Sequence, residues 1–166
     1  MIIKTKIRFK EYVKLLYSLA YERTMLRLLV LVALLLLLWI LFYNFDVFNL
    51  PKPIIYQYIT LSLIAIAQPA IIFITIWRNY YSSNQLRETL EIELANEMIK
   101  INGESYYMEI EWEKLFKIVE KPNWFLMYQN NLSAIIIPKK DMDEKDIFNF
   151  RRLLSGLKVV PVELLK

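Results

Sequence analysis

The sequence contains no cysteine and no histidine, and only 2 glycines, Gly103 and Gly156. Without cysteine there is no disulfide framework, and cysteine usage says nothing of compartment. Without either residue, zinc sites of the Cys/His kind and triads with a histidine base are excluded. Two isolated glycines cannot build a phosphate-cradling loop. Carboxylate-only sites for magnesium or calcium stay open in principle. The one acidic cluster, Asp141, Asp143, Glu144 and Asp146, lacks the ligand spacing and glycine of a calcium loop, and a helix N-terminus accounts for it better. No Ser-Lys or Asp-Asp pair is placed by spacing alone, so the residues give no reason to expect an enzyme, a cofactor or a metal.

Charge is also missing, in two long stretches. Leu28–Phe45 and Pro53–Trp77 contain no charged residue. At 1.5 Å per residue, about 20 residues cross a hydrocarbon core of about 30 Å. The two runs therefore predict a helical membrane hairpin over 25–80, with spans of about 26–45 and 54–77 and a polar turn at Asn44–Lys52. A cleaved signal peptide is disfavoured, because no small-x-small site comes after Trp39-Ile40-Leu41-Phe42-Tyr43. The chain is 57% hydrophobic, above the roughly 45–50% of soluble domains, and the excess lies before Trp77. The stretch beyond Trp77 has the composition of a small soluble domain whose core is marginal at that size.

Lys4, Lys6, Arg8, Lys10, Lys14, Arg23 and Arg27 precede the first span, whereas the turn holds only Lys52. The positive-inside rule then places the N-terminus in the cytoplasm, and two crossings return the C-terminus to it. The net charge of +4 suits anionic lipid and topology rather than nucleic acid.

Residues 1–24 read as a strand followed by an amphipathic helix. Ile3, Thr5, Ile7 and Phe9 alternate with Lys4, Lys6 and Arg8, which demands a sheet partner and predicts a strand added to the C-terminal sheet. Tyr12, Leu15, Leu16, Leu19 and Ala20 then share a helical face, which can rest either on the bilayer surface or on the protein itself. Asn79–Gln85 reads as a linker. Beyond it, alternation predicts strands over Leu90–Leu94, Met98–Asn102, Ser105–Trp112, Phe116–Glu120, Trp124–Tyr128 and Ser133–Ile137, with turns at Ala95-Asn96-Glu97, Asn102-Gly103, Lys121-Pro122-Asn123 and Gln129-Asn130-Asn131. A helix capped by Asp141 or Asp143 ends the domain. Ile147, Phe150, Leu154 and Leu157 form its buried stripe, and Gly156 suits its C-cap. Lys158–Lys166 is a tail without assigned structure.

Strands closed by one C-terminal helix suggest a pleckstrin-homology-like β half-barrel, which makes the whole a membrane α+β protein. The series Ile101-Asn102-Gly103, Ile110-Glu111-Trp112-Glu113-Lys114-Leu115, Lys117-Ile118-Val119-Glu120, Phe125-Leu126-Met127-Tyr128 and Ala134-Ile135-Ile136-Ile137-Pro138-Lys139-Lys140, followed by the helix with Phe148, resembles the YcxB-like family of bacterial membrane proteins. The resemblance covers roughly residues 88–157 and contains no catalytic motif. It implies a cytoplasmic domain over 86–157, a multi-pass place in the bacterial cell membrane, and Pro138 and Phe148 as structural anchors. Trp112, which invites a ligand role, reads from its own chemistry as a core anchor instead, a tryptophan ending a strand with its indole N–H bonded to backbone.

Two features invite a functional reading. Gln68-Pro69 lies near the middle of the second span, where an amide faces another helix and a proline loosens the ladder one turn back. A kink satisfied by Gln68 or a neighbouring helix explains the pair, and self-association through this face stays open. Lys139 and Lys140 lead into the last helix and could meet anionic headgroups or a partner. Two functions fit these features: a membrane-anchored, non-enzymatic interaction module with an unidentified protein or lipid partner, or a protective protein against a pore-forming bacteriocin or toxin. The second is a fold-level analogy.

Overall fold

The computed structural model describes residues 1–95 and 97–165; of the turn expected at Ala95-Asn96-Glu97, Asn96 lies outside the described residues, as does Lys166 at the end of the tail. The chain forms two units. Arg8–Ser82 is helical, and Met1–Ile7 joins Ser83–Lys166 in a second unit built on sheets. The charge divides unevenly between them: Arg8–Ser82 carries seven basic and three acidic side chains, the rest of the chain fourteen of each, so the whole net charge of +4 belongs to the helical unit.

In the helical unit, α1 spans Phe9–Glu22, α2 Thr24–Asn44 and α3 Ile55–Ser82. Glu11 opens α1 by accepting the Arg8 N–H at 3.0 Å. Arg23 is extended and serves as the last cap of α1 and the first of α2. Both α2 and α3 are long and apolar enough to cross a membrane. Their apolar side chains, among them Leu28, Leu31, Leu35, Ile59, Ile66 and Ile74, face outward, which suits a hydrocarbon solvent and not water. α2 ends in a Schellman arrangement, with the Val47 N–H on Phe42 O at 3.2 Å and the Asp46 N–H on Tyr43 O at 3.3 Å. Asp46 takes the left-handed position at φ 48°, among the non-glycine residues that tolerate it best.

The amphipathic helix α1 packs on the second long helix. Phe9 meets Phe73, Tyr80 and Tyr81 with ring centroids 6.2, 5.2 and 5.6 Å away, and the Tyr17 hydroxyl donates to Pro69 O at 2.7 Å.

In the second unit, β1 (Ile2–Thr5), β2 (Leu90–Leu94), β3 (Met98–Asn102) and β4 (Tyr107–Glu111) form an antiparallel sheet in chain order. The N-terminal strand is shorter than its alternation predicts, since Phe9 already begins α1, but it pairs as expected, Ile3 opposite Ile92 and Thr5 opposite Leu90. A second sheet runs β7 (Ala134–Pro138), β6 (Trp124–Tyr128), β5 (Lys117–Lys121), β8 (Val162–Glu163), with β8 parallel to β5. The final helix, α4, spans Glu144–Gly156 and is capped by Asp143, which accepts the Asp146 N–H at 2.6 Å. Asp141 is not the cap; it accepts the buried Thr5 hydroxyl at 2.6 Å and so ties β1 to the turn after β7.

The core gathers Ile3, Ile92, Ile99, Ile101, Trp112, Ile118, Phe125, Met127, Ile135, Ile137, Phe150, Leu154 and Val160. On the outer face of the first sheet, charges meet across strands, Lys4 with Glu91 at 3.5 Å and Lys100 with Glu109 at 3.4 Å. Such exposed pairs are worth a few tenths of a kcal/mol each, about 1 at most. The expected tight Asn102-Gly103 turn is instead a four-residue connection, closed by Gly103 N–H on Tyr106 O at 2.6 Å. Neither glycine has a positive φ. Gly103 is small because a Cβ there would come within 2.7 Å of the Glu88 carboxylate and 3.0 Å of Leu90. Gly156 is the last helical residue rather than a left-handed cap, the extended Leu157 ending α4.

Candidate functional site

The densest polar cluster of the sheet unit centres on Glu120, whose side chain has no exposure at all. Its position follows from strand parity. Glu120 lies two residues from Ile118, on the same inward face of β5, so its carboxylate is carried into the core. A buried carboxylate is tolerated only when paired. Lys139 reaches it from the turn after β7 at 2.5 Å. Arg151 comes from α4, with Nε at 2.9 and 3.1 Å from the two oxygens and Nη2 at 2.7 Å. The backbone N–H of Leu165 donates at 3.1 Å. Burial alone would push the Glu120 carboxyl up, but the hydrogen bonds from Arg151, Lys139 and Leu165 together outweigh it and hold it below the ordinary carboxylate range. With its lone pairs engaged, Glu120 is poorly placed to act as a base; it fastens β5, the turn after β7, α4 and the C-terminal segment together. The Lys139 ammonium also lies 4.8 Å from the centre of the Phe125 ring, which meets Phe150 edge-on at 4.7 Å.

This corrects the expectation for the lysine pair. Lys139 is only 11% exposed and is engaged by Glu120, so it is not a surface contact for lipid or partner; Lys140 next to it is exposed. Among the anchors, Trp112 is buried, its indole N–H donating to Ala95 O at 3.0 Å, and Pro138 is buried at the end of β7. Phe148 is not an anchor. It is 65% exposed, whereas Phe150, half a helical turn away, is fully buried.

In the helical unit, Pro69 has no N–H to return to the carbonyl four residues before it. The helix accommodates this by widening into a π turn over Leu63–Ala67, closed by the Gln68 N–H on Leu63 O. The expected repair by the Gln68 side chain does not occur. Both polar atoms of that amide are buried and have no hydrogen-bond partner among the described residues.

The family model described as YcxB-like protein matches residues 94–154. The chain carries a YcxB-like domain. No curated protein and no solved structure gives a significant match. The YcxB-like stretch contains Trp112, Glu120, Lys139 and Arg151 but stops short of the elements that complete them. Strand β1, nearly all of β2 and the whole of β8 lie outside it, as does Leu165, the third residue that donates to Glu120. The folded unit is thus larger than the YcxB-like stretch at both ends. Sequence reasoning missed the Glu120 cluster, although the parity of Ile118-Val119-Glu120 was the signal that could have found it.

Proposed function

We propose that this chain is a membrane-anchored, non-enzymatic interaction module, and that its sheet unit is a pleckstrin-homology-like half-barrel on the cytoplasmic side. The observation that carries the reading is the pairing of β1 with β2. A strand made before the apolar hairpin completes the sheet made after it, so the sheet unit is held by two chain connections, at Ile7–Arg8 and Ser82–Ser83. A sheet built from both sides of the apolar hairpin keeps its unit joined to the hairpin at two points of the chain, which suits a membrane-anchored module. Two four-stranded sheets closed by α4 support the half-barrel, and the basic residues before α2 support the cytoplasmic side. Glu120, the most buried ionised group of the sheet unit, is spent on structure, which favours binding over chemistry.

The test uses the full chain in its own membrane. A photo-crosslinking residue is placed singly at Tyr107, Leu132 and Phe148, large apolar side chains that are 66, 92 and 65% exposed. The expected result is a discrete adduct from one of these positions and from that position only. No adduct from any of them, or the same adducts from all, would overturn the reading.

A further inference from the structure

We propose that the exposed stripe at the end of α3, centred on Arg78, is a phospholipid site. The Arg78 guanidinium and the Asn79 amide hold the phosphodiester of a headgroup, and the acyl chains lie along Ile71 and Ile74. The proposal goes beyond the interaction-module reading: it takes α3 as crossing a membrane and needs no protein partner.

The stripe follows from helical spacing. Ile71, Ile74, Thr75, Arg78, Asn79 and Ser82 stand three and four residues apart, share one side of the helix and are all exposed. On another side Ile76 and Tyr80 are buried, Tyr80 with its ring against Phe9 and Tyr12 of α1. The exposed side changes character along its length in the order in which a phospholipid does. Ile71 and Ile74 are aliphatic. The Thr75 hydroxyl donates back to Ile71 O at 2.9 Å, and the Ser82 hydroxyl to Asn79 O at 3.2 Å, so both hydroxyl protons are spent within the helix. The side chains of Arg78 and Asn79 are not: neither has a hydrogen-bond or ion-pair partner among the described residues. Arg78 is also the only charged residue of α3, so the helix holds no acid to pair with it.

Donors without an acceptor call for an anion. The planar fork of a guanidinium matches phosphate oxygens two at a time, and the amide adds further N–H groups beside it. An open hollow of about 490 Å³ lies against Arg78, Asn79 and Ser82, the size of a small-molecule site. Trp77 and Tyr81 border it, with ring centroids 5.3 Å apart. Such amphipathic rings at the end of an apolar run sit at headgroup level, and the anion that fills that level of a bilayer is the phospholipid phosphodiester. The surrounding charge selects among lipids. Apart from Arg78, the helical unit carries six basic and three acidic side chains, and a cationic surplus draws anionic headgroups before neutral ones.

The experiment uses the full chain in micelles of a neutral detergent and a phosphatidylglycerol that carries a fluorophore at the end of one acyl chain. Fluorescence anisotropy is expected to show saturable binding. Arg78→Gln should weaken it about tenfold, as loss of one charge-assisted contact requires, and Asn79→Ala about threefold. Arg78→Lys keeps the charge but not the fork, and should fall between Arg78→Gln and the unaltered chain. Lys52→Gln, in the turn at the other end of α3, should bind as the unaltered chain does. Arg78 bonds to nothing else in the described chain, so Arg78→Gln should unfold at the same temperature as the unaltered chain; a lower one would give Arg78 a structural role and overturn the site. Equal binding by Arg78→Gln and the unaltered chain would overturn it as well. So would an equal loss in Lys52→Gln, because any cation would then serve. Unlabelled phosphatidylglycerol should displace the probe and inorganic phosphate should not; displacement by both alike would make the ligand a free anion and overturn the phospholipid.

Discussion

Single side chains decide how the sheet unit is fastened, and Glu120 is the most demanding of them. Glu120→Gln removes the charge that Lys139 and Arg151 share and leaves two cations facing a neutral amide. Breaking a buried ion pair from one side costs about 3–5 kcal/mol, and we expect the lower end because Arg151 is 42% exposed. The pH dependence comes from the same bonds. The folded carboxyl lies below its ordinary value, so its contribution is complete at neutral pH and is lost as the pH falls below about 4, through the folded value. Thermal unfolding between pH 7 and pH 3 should show a steeper fall in stability for the unaltered chain than for Glu120→Gln; parallel curves would refute the assignment. Trp112→Ala should cost about 3–5 kcal/mol, measured as loss of folded protein, whereas Phe148→Ala should leave stability unchanged within about 0.5 kcal/mol. That contrast is legible in the helical spacing: the stripe Ile147, Phe150, Leu154 and Leu157 turns Phe150 inward, and it is the family resemblance, which carries no helix phase, that makes an anchor of Phe148 two positions away.

At the scale of elements, alternation was sufficient for β2, β3 and β6, whose limits fall where Leu90–Leu94, Met98–Asn102 and Trp124–Tyr128 predict them. It failed for β8. Val159-Val160-Pro161-Val162 is rich in β-branched residues, but the proline hides the strand, because pairing on one edge tolerates what a central strand would not. The second long helix outlasts its apolar run for a different reason: Arg78 and Asn79 end the run, while the helix continues to Ser82 with Ile76 and Tyr80 buried. The π turn before Pro69 could not be foreseen from composition, since the proline fixes only that a bond is lost and not how the backbone absorbs it. The Tyr17–Pro69 hydrogen bond holds α1 to the helix two residues past that turn. Tyr17→Phe should therefore lower stability in micelles by about 1 kcal/mol and raise hydrogen exchange across Leu63–Ala67. Unchanged exchange there would show that the turn is rigid without α1.

For the molecule as a whole, the absence of cysteine makes orientation directly measurable. Asn49→Cys is expected to react with an impermeant thiol reagent on intact cells, and Asn130→Cys only after the cells are opened; the reverse pattern would overturn the cytoplasmic placement. The pairing of Ile2–Thr5 with Leu90–Leu94 has a further consequence, for the order of events during synthesis. The first strand leaves the ribosome before either apolar helix, and its partner leaves after both. On the proposed two-span placement, the strand would wait, unpaired, while the hairpin entered the bilayer, and the two ends would meet only once the hairpin had returned the chain to its starting side. On that placement the sheet would be a checkpoint on insertion: a chain that inserted only one of its two helices would leave its first strand and its second on opposite sides of the membrane, with an open edge on each.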